Sequence, residues 1–129
     1  MALYLDSSAI VKLVVREAES AALRRLLRAH PVRVSSALAR VEVTRAVRAQ
    51  SPAVRARAQA VLTRIRLLRI DDDILSTAAM LDPHVLRSLD AIHLASASAL
   101  GAELDAIVTY DARMQDAAAT LGYTTLAPT

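Results

Sequence analysis

Short apolar runs alternate with longer amphipathic stretches along the chain. The apolar runs predict strands at residues 2–5, 32–34, 68–70 and 106–109, with a further edge strand at 124–126. Between them, helical spacing of apolar residues, capping residues and stop signals predict helices from about Ser8 and over residues 17–30, 36–50, 52–67, 72–81, 88–100 and 112–121. Strands that alternate with helices indicate an α/β fold with a largely parallel central sheet.

The composition fits one compact domain. The chain has 129 residues, 54% of them hydrophobic, with only 2 glycines and 4 prolines. A disordered chain would carry far fewer apolar residues. No repeat, low-complexity linker or break in composition divides the sequence, so we expect residues 1–129 to form a single domain.

Cysteine is absent, which excludes disulfides and thiolate zinc sites. Any metal ion must therefore be held by oxygen or imidazole. The N-terminus lacks a basic leader region and reaches Asp6 after five residues, and no segment offers the roughly 18 uncharged apolar residues of a membrane span. We expect a cytoplasmic protein without membrane contact.

The positive charge of the chain comes almost wholly from arginine. The net charge is +3, and 15 arginines stand against the single lysine, Lys12. Arginine makes forked contacts with phosphate, which favours a polyanionic partner. Charge alone leaves open the alternative that a GC-rich genome enriches arginine and alanine.

Two aspartates follow predicted strands. Asp6 comes directly after the first strand, and Asp111 just after the fourth. In open parallel sheets, functional sites form at the carboxyl ends of the strands. Aspartate at such a position is also an ordinary helix cap or turn residue. Position alone leaves both roles open.

Two further acids lie on predicted helices with apolar surroundings. Glu42 lies in a helical arc with Leu38, Ala46 and Ala49 on one side and Ala39 on the other, and Asp90 lies in the first turn of a helix that is small or apolar almost all round. A buried carboxylate is costly unless a positive group compensates it. Arg45 is the candidate ion-pair partner of Glu42. The dipole of the helix favours the negative charge of Asp90 in its first turn. A metal ion is the functional alternative for both acids.

Four carboxylates in one pocket would repel each other unless a divalent cation neutralised them. Oxygen ligands suit Mg²⁺ or Mn²⁺ rather than zinc. Such a cation lowers the pKa of a bound water and stabilises negative charge on phosphate. Convergence of Asp6, Glu42, Asp90 and Asp111 would therefore indicate hydrolysis of phosphodiester bonds.

Four segments resemble, in order and spacing, the acidic signatures of PIN-domain nucleases of the VapC toxin type. They are YLDSSAIVKL, RVEVTRAV, LRSLDAIHLASA and VTYDARM, and together they span nearly the whole chain. The resemblance implies a three-layer α/β/α PIN-like fold and a Mg²⁺- or Mn²⁺-dependent endoribonuclease that acts as the toxin of a type II toxin-antitoxin system. It implies catalytic metal ligands at Asp6, Glu42, Asp90 and Asp111, of which Asp6 and Asp90 are the most direct.

The same resemblance extends to neighbouring groups and partners. Hydroxyls beside the acids match Ser7, Ser8 and Thr109, which would orient ligands or waters or act only as helix caps. A cognate antitoxin and a homodimer within the toxin-antitoxin complex are also implied. RNA is the implied substrate.

Other polar residues have simpler interpretations. His93 is expected to be a partly buried helix residue rather than a base, because an activated water needs no imidazole. Asp71, with the two aspartates that follow it, predicts an N-cap and a negative first helical turn. Asp116 is expected on a solvated face.

The arginines near Glu42 in sequence are candidates for phosphate binding. Arg40, Arg45 and Arg48 are the substrate-binding candidates, and four more arginines lie in the next predicted helix: Arg55, Arg57, Arg64 and Arg66. With three tyrosines as the only aromatic residues, a base-stacking platform is not expected.

Two other functions share some of these sequence features. A catalytically silent PIN-like RNA-binding or assembly module would be favoured if one of the four acids pointed away from the others. A receiver or haloacid-dehalogenase-like phosphatase also begins with a strand and an aspartate. The phosphatase pattern needs a second aspartate where Ser8 stands, and the receiver needs a lysine after a late strand, far from Lys12. The four acids do not distinguish RNA from DNA as substrate.

Overall fold

The computed structural model describes every residue, Met1–Thr129. The five strands are β1 Ala2–Leu5, β2 Arg33–Ser36, β3 Arg66–Leu68, β4 Leu104–Val108 and β5 Thr125–Leu126. The seven helices are α1 Ser7–Val14, α2 Ser20–Ala29, α3 Ala39–Ala46, α4 Pro52–Thr63, α5 Asp72–Ala79, α6 Ser88–Ser98 and α7 Ala112–Thr120, and a 3₁₀ turn spans Gly101–Glu103. None of the helices has the length and apolar character needed to cross a lipid bilayer.

The strands form one sheet in the order β3-β2-β1-β4-β5, and every neighbouring pair is parallel. Side chains of β1 alternate between the two faces, as a strand buried on both sides requires. Leu3 and Leu5 pack against α1 to α4, whereas Ala2 and Tyr4 pack against α6 and α7. The predicted three-layer α/β/α architecture is confirmed, and the sheet is wholly rather than largely parallel.

Several predicted bounds are wrong by two to four residues, among them those of the central helices and of the third strand. The helix predicted over 36–50 is α3, which starts three residues later, and Ser36 belongs to β2. Its buried face is formed by Ala39, Val43 and Val47, whereas Ala46 and Ala49 are exposed. The predicted arc was therefore right for Ala39 and wrong for Ala46 and Ala49, because alanine fits either face of a helix and the larger valines mark the core. The third strand lies at Arg66–Leu68, not 68–70, so α4 ends earlier than predicted.

Local capping chemistry explains several helix starts. Ser51 accepts a hydrogen bond from the Val54 amide ahead of Pro52, and Asp71 accepts one from the Ile74 amide. The predicted N-cap at Asp71 is therefore confirmed. Asp6 and Asp111 cap α1 and α7 in the same way, which ties both acids to the carboxyl edge of the sheet.

Candidate active site

The polar site lies where the order of the strands reverses. From β1 the chain continues to β2 and β3 on one side, and it returns to β4 on the other side. Helices that leave neighbouring strands in opposite directions open a crevice at their carboxyl ends. Asp6 directly follows β1, and Thr109 and Asp111 follow β4, so both segments reach this crevice.

Asp6 is the most deeply buried acid, with 4% of its surface exposed. The Ser8 hydroxyl (2.6 Å) and the Ala9 amide (3.1 Å) donate hydrogen bonds to one carboxylate oxygen, and the Thr109 hydroxyl donates to the other. Burial raises the pKa of Asp6, and these hydrogen bonds offset only part of the effect. The carboxylate is thus rigidly held in a position where its charge is poorly solvated.

Asp90 and Asp111 lie at the starts of α6 and α7, the helices that pack on the opposite face of the sheet from α1. Asp90 is half-buried in the first turn of α6. Its pKa is raised by burial and then by the negative charges of Asp111 and Asp6, although His93 and Arg87 lower it in part. The structure therefore places Asp90 near enough to Asp6 and Asp111 for their charges to raise its pKa.

Glu42 is held by Ser7 and His93 next to these three acids. The Ser7 hydroxyl donates to its carboxylate at 2.7 Å, and His93 Nε2 lies 2.6 Å from the same oxygen. Burial acts to raise the pKa of Glu42, but the contacts with His93 and Ser7 outweigh it, and the pKa is lowered. Arg45 was wrong as the compensating partner, since it is exposed and forms no ion pair.

His93 links the two layers through a chain of hydrogen bonds. Its side chain is 3% exposed, and Tyr4 Oη lies 2.7 Å from Nδ1. Burial raises the pKa of Tyr4, so the hydroxyl keeps its proton and donates to Nδ1. Nε2–H is then free to donate to Glu42. Sequence reasoning placed His93 on a helix but missed this role, whose only local signal was Tyr4 on an otherwise aliphatic strand.

All three predicted hydroxyls touch acids. Ser7 donates to Glu42, while Ser8 and Thr109 donate to Asp6. Ser8 also accepts a hydrogen bond from the Tyr110 amide at 3.0 Å, which ties the end of β4 to the start of α1. Whether these hydroxyls orient metal ligands stays a prediction, but their contacts fix the geometry of both acids.

The carboxylate oxygens of these acids are ligands that suit a divalent cation, although the acids do not surround a preformed metal site. No group of three or more His, Asp or Glu side chains stands in an arrangement that would hold a metal ion by itself. Mg²⁺ commonly uses only one or two carboxylates and takes its other ligands from water and substrate phosphate. The repulsion that Asp90 experiences from Asp111 and Asp6, which His93 and Arg87 offset only in part, is what such an ion would remove.

The arginines nearest the acids are not the predicted ones. Arg40, Arg45 and Arg48 are exposed on and just beyond α3. A cleft of about 330 Å³ is instead lined by Asp90, Asp116, Arg87 and Arg113. Asp116 is exposed, as expected, yet it borders this cleft. Arg87 and Arg113 were missed because each is a single arginine at a helix start, with no local pattern to mark it.

Comparison with known proteins gives a consistent result. The PIN domain signature matches residues 3–120. Ribonuclease VapC46 of Mycobacterium tuberculosis is 55% identical over 127 residues, covering 98% of each chain. Ribonuclease VapC35 of the same organism is 46% identical over 130 residues, covering 98% of this chain and 96% of its own.

Two solved structures share the fold. A toxin-antitoxin complex from Klebsiella pneumoniae contains a chain that superposes with a TM-score of 0.76 at 21% identity, covering 100% of this chain and 98% of that one. Mycobacterium tuberculosis VapC20, described as a sarcin-ricin loop cleaving toxin, superposes with a TM-score of 0.74 at 20% identity, covering 98% and 99%. With a family match over most of the sequence and high identity along nearly the full length of named relatives, the chain belongs to the PIN-domain family, among the VapC ribonucleases.

Proposed function

We propose that the protein is a Mg²⁺- or Mn²⁺-dependent endoribonuclease and the toxin of a toxin-antitoxin pair. The observation that carries this proposal is the position of Asp6 and Asp111 just after the paired strands β1 and β4, with Asp90 near enough for both charges to raise its pKa. Sequence identities of 55% and 46% to proteins named ribonucleases, over 98% of this chain, support RNA as the substrate. The perturbed pKa of an acid beside a cleft is typical of functional sites.

Asp6, Asp90 and Asp111 are the residues that would hold the cation. When bound, a divalent cation supplies an activated water and offsets the negative charge that develops on the phosphate. Asp6 is fixed beforehand by its hydrogen bonds, whereas Asp90 borders the open cleft where substrate would enter. Ser7 and His93 both contact Oε1 of Glu42, which leaves Oε2 available to the cation, and the role of Glu42 as a ligand stays a prediction.

Arg87 and Arg113 are assigned to the substrate. Both line the cleft that contains Asp90, and neither forms an ion pair. Guanidinium groups bind phosphate through paired hydrogen bonds. They would hold a phosphate next to the acids and counter the repulsion between substrate and carboxylates. Arg40, Arg45 and Arg48 stay predictions for more distant phosphates.

The test is cleavage of a structured RNA by purified protein with Mg²⁺, with Mn²⁺ and with EDTA. Wild type is compared with Asp6→Asn, and Asp73→Asn serves as the control because Asp73 is an exposed acid in the first turn of α5. We expect metal-dependent cutting by wild type and the control and none by Asp6→Asn. A single-stranded DNA of the same sequence separates ribonuclease from general nuclease activity.

The catalytically silent binding module is the alternative that this assay decides. Its support is the hydrogen bonding of Glu42 to Ser7 and His93 and the lack of a preformed group of three ligands. RNA binding without cleavage under every metal condition would favour it. Equal cleavage by wild type and Asp6→Asn would refute the assignment of the site.

The proposed partners are a cognate antitoxin and a second copy of the chain. The Klebsiella pneumoniae structure with this fold is a toxin-antitoxin complex, which supports an antitoxin. Light scattering on the purified protein, alone and after co-expression with the product of an adjacent reading frame, tests both. A monomer under both conditions would contradict the homodimer.

A further inference from the structure

Five arginines line one cleft far from the acids. The cleft has a volume of about 300 Å³, and its basic lining consists of Arg24, Arg28, Arg33, Arg57 and Arg64. They come from α2, from β2, from α4 and from the residue that follows α4. No acidic residue lines the cleft, and none of the five forms an ion pair. The cleft is therefore a concentrated positive charge without an internal counter-ion.

The cleft lies at the amino edge of the sheet, opposite the carboxylates. Arg33 is the first residue of β2, and Arg64 precedes β3 by two residues. Since all strands are parallel, their amino ends share one edge. Leu13, which also lines the cleft, lies near the end of α1, whose start is at Ser7 beside the acids. The six residue steps from Ser7 to Leu13 correspond to roughly 9 Å along the axis of α1, at 1.5 Å per residue.

Composition does not explain this arrangement. A GC-rich genome sets how many arginines a chain carries, not their convergence from three elements. Arg24 and Arg28 stand one turn apart on α2, and like charges at that spacing destabilise a helix slightly. Arg24 and Arg57 are also fixed in place, because they donate to the carbonyl oxygens of Leu13 and Val14 at 3.3 Å. A mutually repelling cluster that is partly held in position is the expected form of an anion site.

Phosphate fits the cleft better than an amphipathic acidic peptide does. A peptide would need exposed apolar surface to cover, yet of the three apolar lining residues Leu13 and Leu27 are only 7% and 1% exposed and Val61 is half-buried. What the cleft offers is charge in the forked geometry that suits phosphate oxygens. RNA carries one such group per nucleotide, so a strand cut at the acids extends to other surfaces within a few nucleotides.

We propose that this arginine cleft is a second RNA-contacting site, which binds phosphodiester groups of the substrate outside the segment that is cleaved. The proposal rests on the proposed function, since it assumes that RNA is the substrate. It assigns the cleft to substrate retention rather than to catalysis, so a short RNA that covers only the acidic edge does not use it.

The test measures RNA binding separately from cutting. Binding of a fluorescent 20-nucleotide RNA is followed by anisotropy in EDTA between 50 and 200 mM KCl. The cleft variant is Arg28→Gln, Arg33→Gln and Arg64→Gln combined, which leaves Arg24 and Arg57 on their carbonyl oxygens. The control combines Arg16→Gln, Arg25→Gln and Arg69→Gln, three exposed arginines outside the cleft. A lysine version of the cleft variant keeps the charge, and circular dichroism checks that each protein is folded.

We expect the cleft variant to bind about tenfold or more weakly than the control at 100 mM KCl. Its slope of log affinity against log salt should be smaller by about 2, the loss expected for three phosphate contacts on a single strand. The lysine version should recover the slope. Equal affinity and slope in the cleft and control variants would overturn the proposal. Poly-L-glutamate binding that is lost while RNA binding is unchanged would also overturn it and assign the cleft to an acidic polypeptide.

Failure of the proposed function is distinguishable from failure of the cleft. If wild type cuts no RNA with any metal, the nuclease fails, whatever the binding data show. If wild type cuts RNA but the cleft and control variants bind equally, the nuclease stands and only the second site fails. Where both stand, the cleft variant should show a raised KM on the 20-nucleotide RNA and unchanged cleavage of a tetranucleotide.

Discussion

Replacement of His93 by alanine removes the centre of the hydrogen-bond chain between Tyr4 and Glu42. The lost hydrogen bond to the Glu42 carboxylate is worth about 1.5–3 kcal/mol, and the lower end applies because that side chain is 27% exposed and water replaces part of the contact. Tyr4 has no exposed surface, and its hydroxyl would lose the His93 acceptor at 2.7 Å, which costs about 1–3 kcal/mol unless Ser35 or Ser96 accepts in its place. We expect a total loss of about 3–4 kcal/mol in the free energy of unfolding.

The loss should appear in urea denaturation at pH 7 and as a fall in Tm of roughly 10 °C for a chain of this size. The control is a double-mutant cycle with Tyr4→Phe, which keeps the ring and removes the hydroxyl. The double variant should be more stable than the sum of the single effects by about 1 kcal/mol, because no unsatisfied hydroxyl is left behind. Additive effects, or a loss below about 1 kcal/mol for His93→Ala, would refute the network.

Three further changes test other parts of the structure. The pKa of Asp90 is raised in the fold, so its charge opposes folding at neutral pH, and this penalty fades as the pH falls towards the ordinary value of 3.8. Asp90→Asn should therefore stabilise the protein in EDTA at pH 7 but not at pH 3.5, as measured by urea titration. The same variant should abolish cleavage, because it removes a proposed ligand of the cation. Asp71→Ala should cost about 1 kcal/mol through loss of the N-cap and leave cleavage unchanged, and a change in cleavage rate would contradict a purely structural role. Arg113→Gln should raise KM more than it lowers kcat in steady-state cleavage, whereas Arg25→Gln should alter neither.

Much of the architecture was predictable because its signals are local. The bounds of β1 were predicted correctly, and the N-cap at Asp71 was recognised from the residues next to it. Asp6 and Asp111 were placed at strand ends from the order of apolar runs alone. The buried face of α3 was only partly predicted, since alanine carries too little hydrophobicity to show which face of a helix is buried.

By itself, the sequence determined the alternation of strands and helices and the edge at which the acids would lie. Only the tertiary structure decided the partners of those acids: Tyr4 and His93 are 89 residues apart, and Glu42 and His93 are 51 apart. It also decided that five arginines from separate elements share one cleft. The physical reason is the separation along the chain over which each kind of interaction acts. Helical periodicity and caps act over a few residues, whereas hydrogen bonds and charge clusters between elements depend on how the two helical layers pack on the sheet.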